Sequence, residues 1–113
     1  MKIDKETQEK LQDLQLAEQN LQNFLMQKQA FQIELNETEE AIEEVKKTEE
    51  EVYKIAGQIM IRAKKAEILK ELEEKRTILG LRIKSIENQE KNFSEKSEKL
   101  KREIEAKLKK AEK

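Results

Sequence analysis

The sequence predicts a mainly α fold: an antiparallel two-helix coiled coil with one central β-hairpin. Three observations carry this expectation. Apolar residues recur at alternating spacings of three and four over two long stretches, the mark of helices that share a seam. Between those stretches, around Gly57, the spacing changes to two. No proline occurs anywhere in the 113 residues, and there are only 2 glycines. Composition points the same way. Charged residues make up 43% and hydrophobic residues 35%, against about 25% charged in an average domain, and the mean hydropathy is -0.98. Such numbers suit a disordered polyampholyte or long helices with a narrow apolar seam. The sustained periodicity selects the helices and argues against a compact single-chain globule.

The chain reads as one domain of three segments: an N-terminal helix over 1–48, a hairpin over 49–65 and a C-terminal helix over 66–113. The first seam is Leu14, Ala17, Leu21, Phe24, Lys28, Phe31, Leu35, Thr38, Ile42 and Val45, of which only Lys28 and Thr38 are not apolar. In the middle segment Val52-Tyr53-Lys54-Ile55-Ala56, then Gly57-Gln58, then Ile59-Met60-Ile61-Arg62-Ala63 reads as strand, two-residue turn, strand. Glycine at the first turn position is what a type II′ hairpin requires. Counting every second residue puts Tyr53, Ile55, Ile59, Ile61 and Ala63 in one alternation set and Val52 and Met60 in the other. A lone hairpin is marginal in water and has two open edges, so this one is expected to pair with hairpins of other chains. The weaker reading is a loop or an uninterrupted helix, but helical spacing fails across residues 50–63.

The second seam is Leu69, Leu72, Arg76, Leu79, Ile83, Ile86, Glu90, Phe93, Ser97, Leu100 and Ile104. Each helix would measure about 60–65 Å at 1.5 Å per residue. Folding at the hairpin predicts antiparallel partners whose position numbers add to about 114, such as Ile42 with Leu72, Leu35 with Leu79 and Leu21 with Phe93, apolar against apolar under that register. Lys28 and Glu90 fall one turn apart across the seam, where snorkelling of both side chains to solvent is expected in preference to a pair.

Apolar residues off the seam have no place in a two-stranded coil. Met26, Ile33, Ile68, Ile78 and Leu81 are expected to pack on neighbouring subunits near the hairpins. Where the two chain ends meet, Leu11, Leu14 and Leu16 from the first helix join Leu100, Ile104 and Leu108 from the second. These either offer a surface to something hydrophobic or simply close the last turns of the coil; spacing alone leaves both open.

Much chemistry is excluded by missing residue types. There is no Cys, His or Trp, hence no thiol nucleophile, imidazole base, disulfide or zinc site of the usual N/S kind. Two isolated glycines cannot form a phosphate-binding loop. No enzyme, cofactor or metal is expected; Glu37, Glu40 and Glu44 read as repelling solvated carboxylates. Lys plus Arg is 24 and Asp plus Glu is 25, net charge -1, which argues against nucleic acid as a partner. Residues 96–113 lean basic, but interleaved glutamates and a lack of aromatics there weaken that reading. No stretch approaches a membrane span of about 18–20 apolar residues, and the N-terminal residues lack the apolar core of a signal peptide, so a cytoplasmic location is expected. The sequons at Asn36 and Asn92 fall inside expected helices and are read as chance.

Gln27-Lys28-Gln29 in the first helix, Val52 to Ile61 in the hairpin and Lys70-Glu71-Leu72-Glu73-Glu74-Lys75 in the second helix together resemble the β subunit type of archaeal prefoldin, over nearly the whole chain. Tyr53, Lys54 and Gly57 are the most specific part, and a single hairpin fits the β class. The resemblance implies an ATP-independent holdase built as a hexamer of two α and four β subunits. Its hairpins form an intersubunit β-barrel platform, from which coiled coils hang and grip unfolded polypeptides for delivery to a group II chaperonin. On that basis the assembly hairpin would use Val52, Tyr53, Ile55, Gly57, Ile59, Met60 and Ile61, and client binding would fall to Leu11, Leu14, Leu16, Leu100, Ile104 and Leu108, an assignment by position rather than motif. The alternative is a coiled-coil scaffold or filament subunit with no client-binding role.

Overall fold

In the computed structural model, which describes residues 4–111, the order of elements is α1 (Lys5–Lys47), β1 (Val52–Ala56), β2 (Ile59–Ala63) and α2 (Lys65–Ala111). The outermost positions of the expected segments, 1–3 and 112–113, lie outside the described residues. α1 starts where it does because Asp4 caps it: Asp4 Oδ1 accepts the backbone N–H of Thr7 at 2.7 Å, satisfying a donor that every helix N-terminus leaves free. Its far end is closed by a cation from the next helix. Lys65 Nζ donates to the carbonyl oxygens of Lys46 and Thr48 at 3.0 and 3.1 Å, where the helix dipole favours positive charge.

The hairpin pairs Val52 with Ala63, Tyr53 with Arg62, Lys54 with Ile61, Ile55 with Met60 and Ala56 with Ile59. Gly57 has φ of 63°, and among the described residues no other residue has a positive φ. Left-handed backbone at the first turn position only is the type II′ pattern.

The chain divides into two compact units. In the unit Gln29–Lys84, which carries the hairpin, the seam is built from Phe31, Leu35, Thr38, Ile42 and Val45 on α1 and Leu69, Leu72, Leu79 and Ile83 on α2, all buried or half-buried. Leu79 is at its centre, 2% exposed. Buried Thr38 bonds its hydroxyl back to the Glu34 carbonyl at 2.8 Å, so the seam tolerates it. Arg76, a seam position by spacing, is exposed instead. The Arg82 guanidinium lies 5.8 Å from the centroid of the Phe31 ring, a cation–π contact that covers the half-buried aromatic.

The unit formed by Met1–Lys28 and Ser85–Lys113 continues the same seam logic within its described residues. Ala17, Ile86, Ser97, Leu100 and Ile104 are buried. Phe24 and Phe93 meet with ring centroids 5.4 Å apart in a tilted arrangement. Phe24–Phe93 and the ion pair Lys10–Glu103 have position numbers adding to 117 and 113, beside the expected 114. Lys28 and Glu90 do not both snorkel. Lys28 Nζ lies 2.9 Å from Glu90 Oε1, with both side chains more than two-thirds covered. That oxygen is buried and receives no hydrogen bond of good geometry, so the contact is ionic rather than directional. The reason is desolvation: neither charge can be half-buried alone without a large penalty, and the other is the nearest compensation.

Neighbouring positions on α2 make opposite predictions. Leu79→Ala empties the best-buried site and should cost about 2–5 kcal/mol of stability. Gly80 sits mid-helix, exposed, and a Cβ there would meet nothing within 4 Å. Gly80→Ala should therefore stabilise by about 0.5–1 kcal/mol. Denaturant unfolding of the two variants reads both signs.

Candidate functional site: the hairpin and the terminal end of the coil

Two regions bring together the residues that the sequence singles out. The first is the hairpin. Directly opposed residues of an antiparallel pair share a face, so the observed register puts Tyr53 and Ile55 with Met60 and Arg62, and Val52, Lys54 and Ala56 with Ile59, Ile61 and Ala63. This corrects the numerical alternation sets, because a two-residue turn carries odd positions of β1 onto the face of even positions of β2. Ile55 and Met60 therefore share a face, and Ile59 and Ile61 lie on the other.

Both faces are apolar. Tyr53, Ile55, Ile59, Met60 and Ile61 are all exposed, Ile55 to 71%, whereas Val52 is half-buried. Covering one such side chain fully contributes about 1.5–3 kcal/mol, and among the described residues the sheet has only two strands, so backbone groups along both outer edges have no strand partner there. One cation sits on each face, and each is neutralised locally. Lys54 Nζ binds both carboxylate oxygens of Glu71 at 3.0 and 3.2 Å. Arg62 contacts Glu51 at 3.1 Å, and the Tyr53 hydroxyl donates to the same Glu51 oxygen at 2.8 Å. The Tyr53, Lys54 and Gly57 motif is thus explained residue by residue: an anchor to Glu51, an anchor to α2 and the turn. Ile33, Ile78 and Leu81 are also exposed in this unit, while Ile68 is half-buried.

The second region is the end of the coil where the start of α1 meets the close of α2. The six apolar residues expected there divide. Leu100 and Ile104 are buried, 9% and 6% exposed; Leu11, Leu14 and Leu108 are half-buried; Leu16 alone stands out, 58% exposed. Thr7, which the periodicity did not include, is buried beside them.

Charges that sequence reasoning missed tie this end together. Lys107 Nζ lies 2.7 Å from Glu6 Oε2 and 3.4 Å from Asp4 Oδ2. Lys10 bridges Glu6 at 3.7 Å and Glu103 at 3.3 Å. The Thr7 hydroxyl and N–H, and then Lys107, hold the Asp4 carboxyl below its ordinary value. Lys107, helped by Lys10, does the same to Glu6, and Glu6 in turn raises Lys107. The signal was present in part: Asp4 three residues before Thr7 is a helix start, and the expected register sets Lys107 opposite Thr7.

Glu37, Glu40 and Glu44 are exposed along α1, and the described residues contain no cluster of metal-ligating side chains. Among them no helix is long and apolar enough to cross a membrane.

A helix, one hairpin and a returning helix joined by a single-file seam define a coiled-coil assembly subunit, and known proteins share the arrangement. A family model described as "Prefoldin subunit" matches residues 6–111. Prefoldin subunit beta of Thermococcus onnurineus is 38% identical over 108 residues, 94% of this chain and 93% of its own length. That of Methanospirillum hungatei is 33% identical over 108 residues, covering 94% and 90%. The crystal structure of the prefoldin beta subunit from Thermococcus strain KS-1 superposes with a TM-score of 0.88 at 33% identity, covering 95% of this chain and 96% of that one. The chain belongs to the prefoldin subunit family, in its single-hairpin β type. Membership gives it a non-enzymatic, chaperone-type role within a multi-subunit complex.

The ion cluster at the terminal end has a defined pH response. Lowered carboxyls stabilise fully above their ordinary range and lose that contribution as pH falls through their lowered folded values; raised Lys107 stabilises fully below its ordinary value and loses its share as pH rises through the raised one. Backbone NMR should therefore show residues 5–11 loosening before residues 24–31 on acidification below about pH 4 and again above about pH 10.5. Lys107→Gln should remove the alkaline limb and weaken the acid one. Equal loosening of both segments would refute this assignment.

Proposed function

We propose that the chain is a subunit of an ATP-independent holdase, a hexamer of two α and four β chains acting in the cytoplasm. The hairpin joins hairpins of other subunits in a β-barrel platform. The terminal ends of the coils bind unfolded or nascent polypeptides, prevent their aggregation and pass them to a group II chaperonin. The observation that carries this reading is the hairpin: five large exposed side chains on two faces of two five-residue strands, whereas those exposed on the helices are spread over 43 and 47 residues. Such a surface needs several neighbours, not one ligand. Client binding is supported by the position of exposed Leu16 with half-buried Leu11, Leu14 and Leu108 at one end of the coil. Each apolar contact there is weak, and several on one frame add through avidity. No nucleotide is required, since release follows when the client collapses or the chaperonin competes.

Two measurements test the two halves. Ile61→Lys puts a charge into the hairpin face and should abolish the assembled species in native mass spectrometry, with both helices retained by circular dichroism. The triple change Leu11→Ser, Leu16→Ser and Leu108→Ser should leave assembly intact and reduce suppression of aggregation of a denatured client several-fold. A scaffold or filament subunit would suppress aggregation equally with and without that triple change.

A further inference from the structure

The six apolar residues at the terminal end are not equally available. Leu100 and Ile104, the best-placed on α2, are closed into the seam, and an apolar client segment can reach them only if α1 and α2 part there. The apolar packing that opposes parting is thin. Ile86 is buried farther back along α2, but nearer the terminal end the buried positions beside Leu100 and Ile104 include Ser97, Thr7 and Ala17, small or polar groups that contribute little burial. The remaining tie is ionic. Lys107 reaches across from α2 to two carboxylates in the first residues of α1, Glu6 at 2.7 Å and Asp4 at 3.4 Å. Lys10 reaches the other way, to Glu103 at 3.3 Å. Asp4 has a second duty as the cap of α1 through Thr7, so losing Lys107 weakens the start of the helix as well as the cross-helix contact.

We propose that Lys107, held by Glu6 and Asp4, is a latch on a concealed apolar strip of Leu11, Leu100, Ile104 and Leu108 that opens to take an unfolded polypeptide segment. The proposal rests on the client-binding reading given above and adds its regulation. Partly exposed ion pairs suit such a device because each shifts an opening equilibrium by only about two- to fivefold, so the end opens often. Opening also converts Leu100 and Ile104 from seam residues into binding surface, and a bound client holds the end open by mass action.

The test uses the full-length chain and reduced, carboxymethylated α-lactalbumin as a permanently unfolded probe. Lys107→Gln removes the charge without adding apolar surface; Lys107→Arg keeps it. With Lys107→Gln, amide exchange over residues 5–11 and 100–108 should quicken by about two- to fivefold, and probe affinity should rise by a similar factor. Lys107→Arg should behave as the unmodified chain in both. Unchanged exchange, or faster exchange with unchanged or weaker probe binding, overturns the latch. The pair Leu11→Ser and Leu108→Ser separates the two failures. If it still weakens probe binding while Lys107→Gln does not strengthen it, the end is a client site without a latch. If it has no effect, the end is not a client site and the latch fails with it.

Discussion

Everything in this chain depends on how little it has to bury. With one residue in three apolar, two helices can share only a single-file seam, and a seam is specified by register rather than volume. The register is set at the turn. Gly57 in the left-handed region reverses the chain in two residues, and α2 returns along α1 with apolar positions facing each other in both units. A longer or looser turn would shift the pairing and set apolar positions against charged ones. The high charge content is the counterpart of that economy, since nearly every other helix position faces water.

The seam was legible in the sequence because period is a local property. All ten expected positions on α1 and all but Arg76 on α2 are buried or half-buried. The strand pair and its turn were legible for a similar reason, as glycine at one position of a two-residue turn fixes the type. Faces of the hairpin were not, because parity crosses over at the turn and simple counting misplaces Met60 against Ile59 and Ile61. Lys28 and Glu90 show a second limit: whether two polar seam residues pair or turn outward depends on their depth, which spacing does not report. The ion cluster of Asp4, Glu6, Lys10, Glu103 and Lys107 joins residues about a hundred positions apart and leaves no periodic trace. The division of the six terminal apolar residues into buried, half-buried and exposed was equally hidden, since all six have the same residue chemistry.

The two regions that the chain leaves incomplete are incomplete in different ways. Among the described residues the hairpin has no strand on either edge and leaves most of both faces exposed, a deficit of the kind that other folded chains of fixed geometry make up. At the terminal end the groups are nearly satisfied: its apolar residues are mostly covered and its charges are paired. A surface of the first kind favours permanent partners, and one of the second kind favours passing ones. That difference follows from packing and underlies the function proposed above.

The hairpin carries a further consequence for how such a chain is made. Natural edge strands use charged side chains as a guard against stray pairing; here the hairpin has two cations, Lys54 beside Glu71 and Arg62 beside Glu51, among five exposed apolar or aromatic side chains. If the hairpin assembles as proposed, a newly synthesised copy displays, until its neighbours arrive, the sort of sticky β-edge from which chaperones shield other proteins. On the function proposed above, output of this chain in excess of its partners would generate orphans that resemble clients. Matched synthesis of the subunits would then be as much a part of its chemistry as the seam or the turn.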